Sequence, residues 1–210
     1  MNYNILQPWS TFVLKTRLPN TILSKMISIT DKIISDENAK SWGKSLAGQI
    51  DKELYVNIDT LRTNRVLEFF HNAVEEFITV AKSQQFPQQK QQQNWKSNMI
   101  SMWIVSQKDH EYNPCHSHTM CAISAVMYLK IPKYLPSRKE GRNVDGNIVF
   151  VNSTSNDTEF CTPQMNIKPE VGDLYIFPAK QLHFVYPFRT EDGDGERRSV
   201  SFNANYEDSL

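Results

Sequence analysis

From Leu61 to Ala81 the apolar residues Val66, Leu67, Phe69, Phe70, Ala73, Val74, Phe77, Ile78 and Ala81 recur at three- and four-residue spacing, while Arg65, Glu68, Glu75 and Glu76 fall elsewhere on the cylinder. That period predicts an amphipathic helix with a broad apolar stripe, of the kind that lies on a sheet. His71 sits on this helix and reads as structural. Upstream, Trp9 to Thr16 has the texture of a strand ended by Leu18-Pro19-Asn20, after which Ile22, Met26, Ile29, Ile33 and Ile34 return to helical spacing. Gln84 to Asn94 holds seven glutamines around Phe86-Pro87. Such a segment buries too little apolar area to order itself strongly, and it reads as a surface connector.

Beyond the connector the period shortens. Runs of β-branched, aromatic and aliphatic residues at 98–106, 115–131, 147–152, 174–178, 182–188 and 198–206 are separated by turn residues and by no helical stretch. Lys133 to Asp145, rich in Pro, Gly and charge, reads as a loop able to cover a site, and Asp192-Gly193-Asp194-Gly195 as a turn feeding the last strand. Helices first and serial short strands afterwards predict an α+β fold built around a β-barrel or jelly roll, with the helices buttressing one outer sheet face. At 210 residues the chain fits one domain: 1–95 supply the N-terminal strand and supporting helices, and 96–210 the β core.

Two strands carry alternation that bears on chemistry. In the last, Arg197, Ser199, Ser201, Asn203 and Asn205 share one face and Val200, Phe202, Ala204 and Tyr206 the other. The polar face belongs either to an edge strand in water or to a lined pocket in which Arg197 grips a carboxylate and Ser199 adds a hydrogen bond. From Ala122 to Ile131, Ser124, Val126 and Tyr128 alternate with Ile123, Met127 and Leu129; a strand Tyr ordinarily belongs to the core, and the second reading of this face is room for a bound molecule with the Tyr128 hydroxyl at its far end.

The formal charge is zero and the pI near 7.0, so no basic field draws the chain toward nucleic acid. No run approaches the length of a membrane span, and Met1 to Asn20 lacks the pattern of a secretory signal. Three cysteines, Cys115, Cys121 and Cys161, are too few for a disulfide framework, and together these features point to a cytoplasmic protein. An edge strand and the N-terminal helices offer surfaces for a homodimer.

The densest chemistry is His116-Ser117-His118, with His183 65 residues later and Arg197-Arg198-Ser199 starting 14 residues after that. Imidazoles two apart on a strand project from one face and can reach one metal ion, and a third can join from a neighbouring strand. A guanidinium fork close by matches a carboxylate in bidentate geometry. His110, beside Asp109 and Glu111, reads as a loop residue. Cys115 and Cys121 bracket the close histidines, yet structural zinc usually draws Cys pairs spaced more tightly, and Cys115 should face away from His116.

The order Trp103, Asn113-Pro114-Cys115-His116-Ser117-His118, Ser124-Ala125-Val126-Met127-Tyr128-Leu129, Asn147-Ile148-Val149-Phe150, Pro169 with Gly172-Asp173, Phe177-Pro178 before His183, and Arg197-x-Ser199 to Phe202-Asn203 resembles the 2-oxoglutarate and Fe(II)-dependent oxygenases. Within them it is similar to small bacterial and phage members with His-x-His at the first metal motif. The resemblance covers roughly residues 98–206. It implies a double-stranded β-helix, Fe(II) on His116 and His183, Arg197 on the far carboxylate of 2-oxoglutarate with Ser199 and Tyr128 assisting, and O2 as the second cosubstrate. Trp103, Asn113 and Asn203 become wall residues of the substrate pocket. Where the wider superfamily carries Asp or Glu, this chain has His118, which is either a third ligand or a neighbour of the metal. Three imidazoles also suit zinc, and the pattern resembles the zinc site of α-type carbonic anhydrases. The expected activity is therefore a dioxygenase acting on a small molecule or a protein side chain. A zinc-dependent hydrolase or hydratase, or a non-catalytic β-barrel binding protein, stands as the alternative.

Overall fold

The computed structural model describes residues 12–85, 95–152 and 162–208. In chain order the elements are β1 (Leu14–Arg17), α1 (Asn20–Ser35), a short 3-10 turn (Gly43–Ser45), β2 (Glu53–Tyr55), α2 (Ile58–Thr63), α3 (Leu67–Gln85), β3 (Trp95–Gln107), β4 (Asn113–His116), β5 (Ile123–Lys130), β6 (Ile148–Val151), β7 (Gln164–Ile167), β8 (Asp173–Pro178), β9 (His183–Val185) and β10 (Arg197–Asp208). They form a six-stranded sheet, ordered β1-β8-β5-β10-β3-β2, and a four-stranded sheet, ordered β4-β9-β6-β7. All named pairings are antiparallel. Two such sheets around a common interior make the double-stranded β-helix that the serial strands predict.

The alternation of β10 is what divides the interior. Val200, Phe202 and Ala204 turn toward the helices and pack with Met26 and Ile29 of α1 and Phe70, Val74 and Phe77 of α3 in one apolar core. The Phe70 and Phe202 rings lie 5.6 Å apart. On the other face of the same sheet, Val126, Tyr128, Tyr175 and Phe177 meet Ile148, Phe150 and Val185 of the small sheet in a second core. β10 is not an edge strand, since β3 pairs on one side and β5 on the other. Its polar face therefore points between the sheets rather than into water.

The N-terminal segment does more than buttress. β1 pairs with β8 and β2 with β3, so its two strands close both edges of the large sheet. β1 is fastened by Asp173, whose buried carboxylate meets Lys15 Nζ at 3.0 Å and Arg17 Nη1 at 3.1 Å, and accepts from the Tyr175 hydroxyl at 2.8 Å. Burial alone would raise that carboxyl group, but the Glu170 backbone N–H, Lys15 and Tyr175 outweigh it and hold it below its ordinary range. The part of the expected first strand before Phe12 lies outside the described residues.

Two expected elements are broken. The stripe from Leu61 to Ala81 is shared by two helices, because Arg65 takes φ 54° and the Val66 N–H returns to the Leu61 carbonyl at 3.0 Å. That six-to-one bond is a helix stop of the Schellman type, and it lets Leu61 and Val66 both reach the core. The run 115–131 is likewise two strands, β4 in the small sheet and β5 in the large one, with Met120 at φ 60° in the crossing. His110, at φ 66°, lies in a turn as expected, and His71 Nδ1 meets Ser97 Oγ at 2.7 Å in a structural role. Among the described residues no helix is long and apolar enough to cross a membrane.

Candidate metal centre and its cavity

His116 closes β4 and pairs in register with His183, the first residue of β9. His118 falls two residues past the end of β4, where its N–H donates to the Ala179 carbonyl at 2.8 Å and its own carbonyl accepts from Lys180 Nζ at 3.2 Å. The two close histidines thus do not share a strand face as the spacing suggests, yet backbone bonds to the turn before β9 bring the second ring around to the first. One ligand nitrogen from each of His116, His118 and His183 lies within 4.8 Å of the others. Ring centroids are 4.3 Å apart for His116 and His183, 5.3 Å for His116 and His118, and 5.2 Å for His118 and His183.

Two of the rings have their tautomer set by the backbone. His116 Nδ1 meets the Pro114 carbonyl at 2.7 Å and His183 Nδ1 meets the Gln181 carbonyl at 2.9 Å. A carbonyl only accepts, so each Nδ1 carries the proton and each Nε2 keeps a free lone pair, the state a metal ligand needs. Burial opposes protonation at all three. It lowers His116, holds His118 down at about 4 with help from the neighbouring His116, and holds His183 at about 3, again with His116 adding to the effect. Phe177 packs against His183 with ring centroids 4.9 Å apart, and Trp103 lies 5.8 Å from His118. Cys115 is exposed and does not join the group.

The rings open into a cavity of about 470 Å³ between the sheets, a volume ordinary for a small-molecule site. Its floor is the polar face of β10. Arg197, Ser199, Ser201 and Asn203 all line it, as do Tyr128 on the adjacent β5, Trp103 on β3 and Asn113 at the start of β4. The sequence pattern of β10 therefore reads a pocket wall.

Arg197 and Arg198 are neighbours with opposite circumstances. Alternation turns Arg198 toward the helices, where Nε and Nη2 donate to Glu196 at 2.7 Å each and Nη1 meets Asp31 at 2.6 Å. Arg197 is 1% exposed and, among the described residues, its one hydrogen-bond acceptor is Gln107 Oε1, at 3.0 Å from Nη1. Its Nε and Nη2 are buried without a hydrogen-bond partner among the described residues, as are the hydroxyls of Tyr128 and Tyr134. The guanidinium carbon lies 4.8 Å from the Tyr128 ring centre. Burial pushes the Tyr128 hydroxyl up to about 12, and burial also raises Tyr134, so both phenols stay protonated and able to donate. A buried cation with unused donors is expensive unless an anion joins it. This cluster has the shape and charge of a carboxylate receptor.

Gln107, Tyr134 and Glu53 escape the sequence reading. Gln107 holds Arg197 from β3, across the Arg197–Gln107 register pair. Tyr134 comes from the loop at 133–145, packs on Phe188 at 4.9 Å and presses so closely on Gly146 that no side chain fits there. Glu53, on the three-residue β2, also lines the cavity. Loops and very short strands carry no periodicity from which an inward direction can be read.

Residues 101–203 match the family model described as "Putative 2OG-Fe(II) oxygenase". No curated protein matches the chain. Among solved structures, a prolyl-4-hydroxylase of Pseudomonas putida is similar at 12% identity and TM-score 0.53, covering 92% of each chain. A prolyl hydroxylase of Trichoplax adhaerens, solved with a hypoxia inducible factor peptide fragment, is similar at 10% identity and TM-score 0.57, covering 94% of this chain and 83% of that one. The non-heme alpha-ketoglutarate-dependent epimerase SnoN from nogalamycin biosynthesis is similar at 16% identity and TM-score 0.57, covering 93% of this chain and 77% of the other. At these identities the three structures establish the double-stranded β-helix fold and nothing narrower.

Proposed function

Because residues 101–203 place this chain among the 2OG-Fe(II) oxygenases, we propose that His116, His118 and His183 hold the Fe(II) and that Arg197, with Ser199, Tyr128 and Tyr134, receives the far carboxylate of 2-oxoglutarate. The observation that carries this reading is the pair of orphaned donors on Arg197, buried beside the protonated Tyr128 phenol at the floor of the histidine-lined cavity. The donor set fits the metal: three neutral imidazole nitrogens within 4.8 Å of one another suit a divalent transition ion and leave positions for a chelating cosubstrate and for oxygen. Bound together, the metal, 2-oxoglutarate and O2 supply the oxidising chemistry, with 2-oxoglutarate leaving as succinate and CO2.

The chain's own residues orient and exclude. The Pro114 and Gln181 carbonyls fix the His116 and His183 rings with Nε2 toward the metal. Gln107 steadies one arm of the Arg197 fork and leaves Nε and Nη2 for the carboxylate. Phe177, Phe150 and Val185 keep the wall dry, which strengthens the guanidinium–carboxylate contact. Trp103, Asn113 and Asn203 complete the wall against a small molecule or a protein side chain. The peptide bound to the Trichoplax adhaerens relative lends support to the second class. Free Cys115 and Cys121 support a cytoplasmic setting.

Zinc would suit the same imidazoles, but a hydrolytic zinc site does not explain a carboxylate receptor built into the cavity floor. Metal-free protein loaded without oxygen with Fe(II) or with Zn(II), then given 2-oxoglutarate and air, distinguishes the two. The iron form is expected to release succinate and the zinc form none. Zinc held tightly with no 2-oxoglutarate binding would contradict the reading.

A further inference from the structure

Among the described residues, Glu53 is a buried carboxylate without a partner. Other buried or half-buried acids have partners: Asp173 has Lys15, Arg17 and Tyr175, Glu196 has Arg198 and Ser106, and Asp109 has Thr190. Glu53 is 2% exposed, and neither Oε1 nor Oε2 has a hydrogen-bond partner among the described residues. It is not a metal ligand, since the three imidazole nitrogens gather without it. A fold gains nothing from such a group, because an unpaired buried carboxylate costs stability and serves only if something outside the chain completes it.

Its surroundings say what that something is. Glu53 pairs with Val105 in the β2–β3 register, and both line the cavity that contains the histidines. Asn113 Oδ1 points to the same place: a methyl group on Gly48 would lie 2.5 Å from Glu53 Oε1 and 2.9 Å from Asn113 Oδ1. Two acceptors are thus close enough to share one multiply protonated donor. The indoles of Trp42 and Trp103 line the same cavity, and Trp103 reaches across to His118 at 5.8 Å. Burial, and then the negative charge of nearby Glu111, raise the Glu53 carboxyl to about 7, so it is a cation bound against it that would hold it ionised. A carboxylate and an amide oxygen beside aromatic faces make a receptor for a positively charged nitrogen.

We infer that Glu53, with Asn113 and the two indoles, binds an ammonium or guanidinium group of the substrate, so that this oxygenase acts on a cationic compound or side chain. The inference rests on the cavity being the oxygenase site. The charge on Glu53 then selects the substrate, and Trp103 links that charge to the metal side of the cavity.

Calorimetric titration without oxygen of the Fe(II)- and 2-oxoglutarate-loaded chain tests it, using butylguanidinium against its neutral counterpart butylurea, and butylammonium against butanol. At least one cation should bind about tenfold or more tighter than its neutral partner, and Glu53→Gln, which keeps the shape, should reduce that preference to about twofold or less. Glu53→Asp, which keeps the charge, should retain part of it and guards against a folding defect in the first variant. Equal binding of cation and neutral partner by the unsubstituted protein, binding of neither, or a preference that survives Glu53→Gln would each overturn the inference. The same titrations on the metal-free and cosubstrate-free chain separate the two levels. A Glu53-dependent preference in protein that binds no 2-oxoglutarate would refute the cosubstrate assignment and uphold the cation site, whereas normal 2-oxoglutarate binding with no preference would do the reverse.

Discussion

Replacing Arg197 with Ala is expected to weaken 2-oxoglutarate binding by about 100-fold or more, near 3 kcal/mol, while changing Fe(II) affinity by less than about threefold. The size follows from burial. Arg197 is 1% exposed and meets the cavity with two unused donors, so its contact with a carboxylate is made away from water. The selectivity follows from placement, because the residue lies on β10 of the large sheet and His116 and His183, the proposed ligands, lie on β4 and β9 of the small one. Arg197→Lys keeps the charge and loses the fork, and should recover only part of the affinity. A second readout is stability: the unpaired cation burdens the free protein, so 2-oxoglutarate should raise the melting temperature of the unsubstituted chain and leave that of Arg197→Ala unmoved. Equal loss of metal and cosubstrate would remove Arg197 from its assigned role.

The next largest effect is expected from His183→Ala, which should lower Fe(II) affinity by more than about 100-fold, since even partners that merely orient a ligand are worth 10- to 100-fold. His183 is enclosed by Phe177 and Phe150 and pairs with His116 across two strands, so its nitrogen has little freedom to be replaced by water from outside. His183→Gln, which keeps much of the volume, checks that a cavity has not unfolded the site. Equilibrium dialysis with Fe(II) under nitrogen reads both variants. Undiminished iron in either would exclude His183 from the ligand set.

Much of this site can be read from the chain because strands print their geometry into sequence with period two. β10 is the clearest example: a central strand between a helix layer and a second sheet must be apolar on the helix side, so the polar run Arg197, Ser199, Ser201 and Asn203 has to face a cavity or be wasted. The Tyr128 face is legible for the same reason. What cannot be read depends on pairing across long distances. β7, Gln164–Ile167, is mostly exposed and polar, and its strand identity comes from β6 rather than from its own residues. β2 is three residues long, and nothing in Glu53-Leu54-Tyr55 announces that its first side chain turns inward. Tyr134 lies in a Pro- and Gly-containing loop, and its direction is set by Phe188 and Gly146. The stop at Arg65 is hidden because the apolar stripe continues through it: Leu61 and Val66 stay buried on either side of a left-handed residue. His118 shows the opposite case, in which an argument from a shared strand face reaches the right neighbours although the residue lies beyond the strand end.

In the proposed site one cavity holds a metal at its histidines and an organic acid at its guanidinium, with the acid joining the two. Two ligands that touch each other in one site must strengthen each other equally. Fe(II) binding measured without oxygen, with and without saturating 2-oxoglutarate, is expected to tighten by about tenfold or more, to do so by the same factor that Fe(II) tightens 2-oxoglutarate, and to lose that coupling in Arg197→Ala. Iron affinity indifferent to 2-oxoglutarate would contradict it.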